Sequence, residues 1–341
     1  MNYRSLGASG LKVSPLCLGT MMFGDRTDKA EAARIVNHAR EGGINFIDTA
    51  DAYSKGESER ITGDLIRPHR EHWVLATKVA NIMGDGPNEK GLGRKWMTRA
   101  LDESLKRLGT DYVDIYYFHK DDPSTPLVES IEAAADFIRA GKIRHFALSN
   151  YRAWRIVEAI RLCDERNIPR PVCLQPYYNA MNRMPEVEVL PACAYYGLGV
   201  VPYSPLARGI LTGKYQPGAK PSEDSRAGRG DKRMLQTEFR EESMRCAQAM
   251  AAHAKSRGVT PGVFATAWVL ANDIVNSVLA GPRTLEQWQG YLGAVDFRWT
   301  AADEALVDGL VAPGHPSTPG YSDPIYPFFG RTVAGNPVRS R

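Results

Sequence analysis

The feature that most constrains the fold of this chain is a regular alternation of short apolar segments with segments of helical periodicity. The apolar segments are rich in β-branched and aromatic residues, which is typical of strands. There are eight of them, at residues 15–18, 44–48, 73–78, 112–119, 143–149, 172–175, 199–203 and 276–280. Because they are apolar almost throughout, we expect strands that are buried on both faces, as in a parallel sheet.

The segments between these strands have the spacing of amphipathic helices. In two of them apolar side chains recur three and four residues apart, at Met97, Leu101, Leu105 and Leu108 and at Leu127, Ile131, Ala134 and Ile138. Gly109 and Gly141 stand just past the predicted helix ends. Eight strand–helix units are the number that closes an α/β barrel. The sequence therefore predicts the α/β class and a single (β/α)8 TIM barrel domain over residues 1–341.

Three segments depart from the alternation. Residues 3–13 surround a glycine-rich turn and predict a β-hairpin that plugs one end of the barrel. A long polar loop at residues 216–233 follows the seventh strand and carries five positive side chains. A solvated loop is its simpler interpretation, and a nearby anionic ligand is the alternative. We expect the tail at residues 312–341 to fold across the other end, since it is rich in proline, glycine and aromatic residues, namely Tyr321, Tyr326, Phe328 and Phe329.

Composition limits the classes of partner. The 341 residues include 43 basic and 39 acidic side chains, for a formal net charge of +4, and like charges do not gather into a basic arm. We therefore expect neither a nucleic-acid nor a membrane partner. The five cysteines include no Cys-x-x-Cys pair, as in proteins of a reducing cytosol. The first residues are polar and no long apolar stretch follows, so we expect a cytoplasmic protein.

Ionisable side chains follow three successive predicted strands. Asp48, Lys78 and His119 stand at the ends of the second, third and fourth strands, and Tyr53 lies in the loop after Asp48. In an α/β barrel the carboxyl ends of the strands meet at one mouth, where catalysis takes place. A single residue of this kind is more often a rim or capping residue. Three of them at the same end favour an active site.

These four residue types suit the reduction of a carbonyl group. The reaction needs a proton donor beside the carbonyl oxygen, and a tyrosine, with an ordinary pKa of about 10, is protonated at neutral pH. We expect Lys78 to lower the pKa of Tyr53 by stabilising its phenolate. Asp48 would pair with Lys78, and His119 would polarise the carbonyl oxygen.

The segments around these residues resemble the signatures of the aldo-keto reductase superfamily. The similar segments are residues 45–53 (NFIDTADAY), 76–78 (ATK), 117–119 (YFH), 147–150 (ALSN), 174–179 (LQPYYN) and 202–215 (PYSPLARGILTGKY). The resemblance covers nearly the whole chain and is greatest to the branch of potassium-channel β subunits and bacterial general aldehyde reductases. It implies an NADPH-dependent oxidoreductase that reduces aldehydes or ketones to alcohols.

The resemblance also implies roles for individual residues. Asp48, Tyr53, Lys78 and His119 would form the catalytic tetrad, with Tyr53 as the proton donor. The implied cofactor is NADPH/NADP+, and no metal is implied. Residues 205–240 would form the loop that grips the cofactor, and the full set of cofactor contacts would be Gly19, Thr20, Met21, Asp48, Ser149, Asn150, Gln175, Tyr203, Ser204, Pro205, Leu206, Gly209, Lys214, Arg226, Gly281, Arg283 and Gln287. The carbonyl substrate would contact Met22, Phe23, Tyr53 and His119.

Residues 281–287 bear on the choice between NADPH and NADH. They predict a helix start, with Thr284 and Gln287 in capping-box spacing. We expect free N–H groups there, together with Arg283, to favour a phosphate and hence NADPH. The sequence departs from the relatives in two places. Gly290-Tyr291 replaces a Glu-Asn pair that touches adenine, and Lys120 replaces a tryptophan after His119.

Three other classes of protein share some of these features. Tyr116 and Lys120 match the Tyr-x-x-x-Lys motif of short-chain dehydrogenases, but that motif needs a helix and these residues lie on a predicted strand. A metal-dependent barrel enzyme is disfavoured because the chain has no His-x-His or His-Glu-x-x-His motif. A redox-sensing regulatory protein of the same fold, which binds NADPH with little turnover, stays open, as do the identity of the carbonyl substrate and self-association.

Overall fold

The computed structural model describes residues 1–320, 323, 325 and 326. Within them eight parallel strands form one sheet in the order β10-β3-β4-β5-β6-β7-β8-β9. These strands are β3 (Leu16–Gly19), β4 (Phe46–Asp48), β5 (Val74–Val79), β6 (Val113–Phe118), β7 (Ile143–Ser149), β8 (Cys173–Gln175), β9 (Gly199–Val200) and β10 (Val278–Ala280). Each lies in or within one residue of a predicted strand, and the predicted α/β class and TIM barrel are confirmed.

Backbone hydrogen bonds between the segments of β9 and β10 close the barrel. The N–H of Asn276 donates to Val200 O, and the N–H of Leu279 donates to Pro202 O, both at 2.9 Å. The seventh strand was predicted over residues 199–203, but β9 ends at Val200. Pro202 has no N–H to donate, which interrupts the ladder at this point.

Helices cover the outside of the barrel. Within the described residues they are α1 (Lys29–Glu41), α2 (Glu57–Ile66), α3 (Arg94–Leu108), α4 (Leu127–Arg139), α5 (Ala153–Glu165), α6 (Val189–Tyr196), α7 (Lys232–Gln236), α8 (Glu241–Ser256), α9 (Pro261–Leu270), α10 (Leu285–Asp296) and α11 (Ala301–Leu310). Their ends follow ordinary capping chemistry. The Thr260 side chain accepts from the Val263 N–H ahead of Pro261, and Gly109 ends α3 in the left-handed conformation, as predicted.

A short hairpin closes the amino-terminal end of the barrel. Its strands are β1 (Arg4–Ser5) and β2 (Lys12–Val13), which pair antiparallel. Leu6 and Val13 are buried in the cluster of side chains that fills the barrel interior. Gly7 has a φ of +56°, and a Cβ there would lie 2.5 Å from Gly199 N. The predicted plug is confirmed, and the space between plug and barrel leaves no room for a side chain at Gly7.

The long loop after β9 and the described part of the tail meet at the opposite end. Arg233 donates to the Asp323 carboxylate at 2.6 Å, and Arg152 donates to Tyr326 O at 3.0 Å. The other predicted tail aromatics, Tyr321, Phe328 and Phe329, lie outside the described residues.

All five cysteines are free. In the described part of the chain, no helix combines the length and the apolar character that a membrane span requires.

Candidate active site

Asp48 and Lys78 form a buried ion pair at the mouth of the barrel. Asp48 ends β4 and Lys78 lies near the end of the adjacent β5, and neither side chain is exposed. The ammonium donates to the Asp48 carboxylate and, at 2.8 Å, to Thr49 O. Burial by itself lowers the pKa of Lys78, but Asp48 and Tyr53 raise it above the ordinary value. Lys78 is therefore charged at neutral pH.

Tyr53 reaches the same ammonium from the loop after β4. Its hydroxyl lies 3.2 Å from Lys78 Nζ, which is 4.7 Å from the centre of the tyrosine ring. Ser54 and Lys55 have φ angles of 47° and 53°, and the Ser54 hydroxyl donates to Phe23 O at 3.0 Å, so the chain turns sharply just after Tyr53. This turn holds the Tyr53 ring over Lys78.

The expected lowering of the Tyr53 pKa is wrong in its net direction. Burial raises the pKa of Tyr53 above 10.0, and the opposite effect of the Lys78 charge does not offset it. Desolvation disfavours the phenolate because the ring lies in a low-dielectric environment. Tyr53 is therefore protonated at neutral pH.

His119 follows β6 and faces Tyr53. The two ring centres are 5.8 Å apart and the rings are nearly perpendicular. The backbone N–H of His119 donates to Val79 O at 2.8 Å, and the backbone carbonyl of His119 accepts from Asn150 Nδ2 at 2.9 Å. Burial, with the charges of Lys78 and Lys120, places the pKa of His119 well below 6.5. Its neutral imidazole carries one ring N–H that can donate to a carbonyl oxygen.

A chain of hydrogen bonds lies beside these groups. The Tyr203 hydroxyl donates to Asn150 Oδ1 at 2.8 Å, and Asn150 Nδ2 donates to Ser149 Oγ at 3.0 Å. Ser149 Oγ donates to Gln175 O at 2.9 Å. Gln175 Nε2 then donates to Asp48 Oδ2 at 3.0 Å, which joins the chain to the ion pair. The structure thus brings together four predicted cofactor contacts and the proposed catalytic pair.

The end of β3 places Gly19, Thr20 and Met21 beside Asp48. Gly19 is the register partner of Asp48, and the Thr20 N–H donates to Asp48 O at 2.9 Å. Met21 is 44% exposed and lines an open pocket together with Gly24, Asp25, Ala52, Tyr53, Ser54 and Lys55. Two predicted substrate contacts are not among the pocket's lining residues, because Met22 and Phe23 are buried.

The loop after β9 has an irregular backbone near its start. Positive φ angles recur there, at Ser204, Ala207, Arg208 and Gly209. Backbones of mixed handedness turn N–H groups toward one side and are typical of anion sites. Pro205 and Leu206 lie within this turn. Lys214 is exposed and close to Gly209, and it forms no ion pair with the described residues, so its ammonium is available to an anion.

Arg226 lies beside Tyr291 of α10. Burial lowers the pKa of Arg226, and its guanidinium is 3.4 Å from the Asp231 carboxylate. Tyr291 is buried, which raises its pKa to about 12. Gly290 is exposed and has no side chain. The Gly290-Tyr291 pair therefore lacks the carboxylate and the amide that a Glu-Asn pair would offer.

Helix α10 begins where predicted, but its first amides are not free. Thr284 is the N-cap and its Oγ1 accepts from the Gln287 N–H at 3.3 Å. Glu31 of α1 accepts from the Leu285 N–H at 2.5 Å. The expectation of free N–H groups is wrong at these two positions because side chains already cap them. Gln287 Oε1 accepts from the Arg283 N–H at 2.9 Å, so the capping-box partner is Arg283 and not Thr284.

The Arg283 guanidinium is the cationic group left at this helix start. Gly281, which precedes it, is exposed, and Arg283 makes no ion pair within the part of the chain that the structure describes. A phosphate here would therefore depend on the Arg283 side chain more than on the helix backbone.

Sequence analysis missed an ionic group under the long loop. Arg208 and Glu238 form a buried ion pair, and Asp323 of the tail accepts from Arg233. Residues so far apart in the chain carry no local pattern that links them. Among the described residues, no three His, Cys, Asp or Glu side chains are grouped so that they could hold a metal ion.

A protonated tyrosine held against a lysine ammonium, at the mouth of an eight-stranded barrel, places this protein among the α/β-barrel oxidoreductases. Comparison with known proteins agrees with that class. The profile of the Aldo/keto reductase family matches residues 15–312, and the chain belongs to this family.

The similar proteins include one that is named as an oxidoreductase and others that are named as channel subunits. The chain is 38% identical to a probable voltage-gated potassium channel subunit beta of Arabidopsis thaliana, over 87% of this chain and 92% of the relative. It is 39% identical to the uncharacterized oxidoreductase YrpG of Bacillus subtilis, over 87% and 91% of the two chains. It is 33% identical to protein tas of Escherichia coli, over 84% and 91%. The predicted superfamily and branch are confirmed.

Proposed function

We propose that this protein is an NADPH-dependent aldo-keto reductase that reduces the carbonyl groups of aldehydes or ketones to alcohols. The observation that carries the proposal is the position of the Tyr53 hydroxyl, 3.2 Å from the Lys78 ammonium, on a ring that faces His119. A neutral hydroxyl beside a fixed cation is suited to donate a proton to a bound carbonyl oxygen.

Each member of the proposed tetrad then has a distinct task. Tyr53 donates the proton, and Lys78 stabilises the phenolate that is left. Asp48 balances the charge of Lys78 within the buried site. The neutral ring of His119 donates a hydrogen bond to the carbonyl oxygen as negative charge develops on it. Bound NADPH would supply the hydride.

The residues around the mouth fit a nicotinamide dinucleotide. The hydroxyl and amide groups of Ser149, Asn150 and Gln175 can exchange their mutual hydrogen bonds for bonds to a ring carboxamide, and the aromatic ring of Tyr203 lies next to them. Lys214 and Arg283 have no carboxylate partner within the described residues. Their positive charges are therefore available to bind phosphate groups. This donor set supports NADPH as the cofactor.

A regulatory, redox-sensing protein with little turnover is the second candidate, because one group of relatives is named as channel subunits. The two functions differ in turnover. Sustained NADPH oxidation with a panel of aliphatic, aromatic and sugar carbonyls supports the reductase. Tight NADPH binding, measured by fluorescence titration, without oxidation on any of these substrates would contradict it and support the regulatory function.

We also propose that residues 1–341 act as a single domain in the cytoplasm. Five free cysteines support a reducing compartment, and the match of the family profile to residues 15–312 supports one domain. Within it, residues 205–240 would grip the cofactor and residues 312–341 would form the tail at the mouth. The partner would be a small carbonyl compound, not a nucleic acid or a membrane.

A further inference from the structure

We infer that Asn81 is a positioning residue for this reaction. Through a hydrogen bond to Nδ1 of His119, it holds the imidazole as the tautomer whose Nε2–H donates to the substrate. The inference rests on the proposed carbonyl reduction, which it deepens. Asn81 lies three residues after Lys78, in the loop that follows β5.

The orientation of the Asn81 amide in this structure sets the direction of the hydrogen bond. Asn81 Nδ2 lies 2.9 Å from His119 Nδ1. A side-chain amide nitrogen can only donate, so Nδ1 must accept and carries no proton. The proton of a neutral imidazole is then on Nε2, which is the free ring nitrogen.

The backbone before Asn81 shows how the side chain is aimed. Ala80 is buried and has a φ of 130°, a strained conformation that residues with a Cβ rarely adopt. Its carbonyl accepts from the Gly91 N–H at 3.0 Å, and the Leu92 N–H donates to Asp122 at 2.8 Å. These contacts fasten both ends of the loop and hold the turn that directs Asn81 toward His119.

The charges around His119 keep the ring neutral. Lys78 from β5, Lys120 from the same loop as His119, and Arg233 from α7 are the charged groups that act on it, and all three are positive. The surrounding rings and amides, Tyr53 and Asn150, are uncharged at neutral pH. No described carboxylate accepts a proton from His119. Asn81 is thus the side chain that selects between its two neutral tautomers.

The test compares Asn81→Asp and Asn81→Ala with wild type, and Asn88→Ala, an exposed change in the same loop, is the control. Histidine tautomers are read by ¹⁵N NMR of the full chain, which needs no turnover, and His119 is assigned with His119→Gln. NADPH affinity, kcat, KM and the pH profile of kcat are measured alongside.

We expect wild-type His119 to carry its proton on Nε2. In Asn81→Ala, kcat should fall about tenfold with NADPH affinity within twofold, because the donor is no longer fixed. In Asn81→Asp the carboxylate accepts from Nδ1–H, which moves the neutral proton off Nε2 and raises the pKa of His119. The kcat of Asn81→Asp should then increase as the pH falls, because the ring becomes doubly protonated and Nε2 regains its proton. The kcat of wild type should not change with pH.

Two results would overturn the inference. One is a wild-type His119 with its proton on Nδ1, and the other is an Asn81→Asp variant that keeps the wild-type tautomer and pH profile. If wild type turns over no carbonyl at all, the proposed function fails, while the NMR measurement still tests the role of Asn81. Thermal unfolding of each variant separates loss of fold from loss of positioning.

Discussion

The ammonium of Lys78 lies 3.2 Å from the hydroxyl of Tyr53, and the Lys78 side chain is fully buried. Burial keeps the tyrosine protonated, and the lysine charge is ready to stabilise the phenolate once the proton has left. The pair therefore places a protonated donor next to the cation that would stabilise its conjugate base.

The variant Tyr53→Phe should retain the fold and NADPH binding but lose about a thousandfold in kcat for carbonyl reduction, because the proton donor is missing. Steady-state rates and an NADPH titration measure the two effects separately. Tyr195→Phe makes the same change at a side chain that is 83% exposed and should leave the rate unchanged. Full activity in Tyr53→Phe would rule out the proton-donor role.

Breaking the buried ion pair should cost stability in a non-additive way. Lys78→Met leaves the Asp48 carboxylate buried without its counter-charge, and we expect a loss of about 3–5 kcal/mol in the free energy of unfolding. The double variant Asp48→Asn with Lys78→Met should recover much of this loss and stay inactive. Urea unfolding of both single variants and of the double variant measures the coupling. Additive losses would show that the pair does not interact as described.

The pH profile of kcat/KM for reduction should be broad and flat. The pKa of His119 lies well below 6.5, so its ring gains a proton only in acid, and the pKa of Tyr53 lies above 10.0, so its proton is lost only in strong base. We therefore expect kcat/KM to be constant between the ordinary pKa of histidine and the ordinary pKa of tyrosine. Initial rates in buffers of constant ionic strength check it. A decline centred near neutral pH would contradict the protonation states assigned to both residues.

Cofactor preference should depend on Arg283. With two amides of the α10 start already capped, the guanidinium is the main group there for a 2'-phosphate, so Arg283→Ala should raise the KM for NADPH about tenfold and leave the KM for NADH nearly unchanged. Arg139→Ala, an exposed change on α4, is the control. An unchanged ratio of the two Michaelis constants would remove Arg283 from the phosphate site.

The hairpin should tolerate a methyl group at Gly10 but not at Gly7. A Cβ at Gly7 would meet Gly199 N at 2.5 Å and force a side chain into a φ of +56°, whereas a Cβ at Gly10 would meet nothing within 4 Å. We expect Gly7→Ala to lose about 2 kcal/mol or more in the free energy of unfolding and Gly10→Ala to lose under half of that. Equal denaturation midpoints for the two variants would mean that the hairpin does not seat against the barrel.

The barrel and the strand-end residues could be predicted because they depend on local pattern. Eight apolar segments set the strand count, and the parallel register then brings Asp48 and Lys78 to the same mouth. The direction of the Tyr53 pKa could not be predicted, because desolvation depends on how the surrounding loops pack over the ring. The Lys78 charge taken alone predicts a lowered pKa for Tyr53, which is the wrong direction.

Contacts between distant segments also could not be predicted from the sequence. The Glu31 carboxylate that caps α10 comes from α1, more than two hundred residues away, so the free amides predicted there are occupied. Phe23 was expected at the substrate pocket but packs into the core. The sequence does place Asn81 near the proposed site, because it follows a strand that ends in a proposed catalytic residue. The sequence does not indicate its contact with His119, which comes from the next strand.

The hairpin at the closed end of the barrel has a consequence for synthesis of the chain. The Ala8 N–H donates to Gly197 O, and Leu6 packs among side chains from strands made much later, such as Val201. Because the hairpin is translated before the segments it packs against, it cannot reach its final position until most of the barrel has been made. Contacts of such sequence separation slow folding, and a nascent chain stalled before residue 197 would expose Leu6 and Val13 as apolar surface.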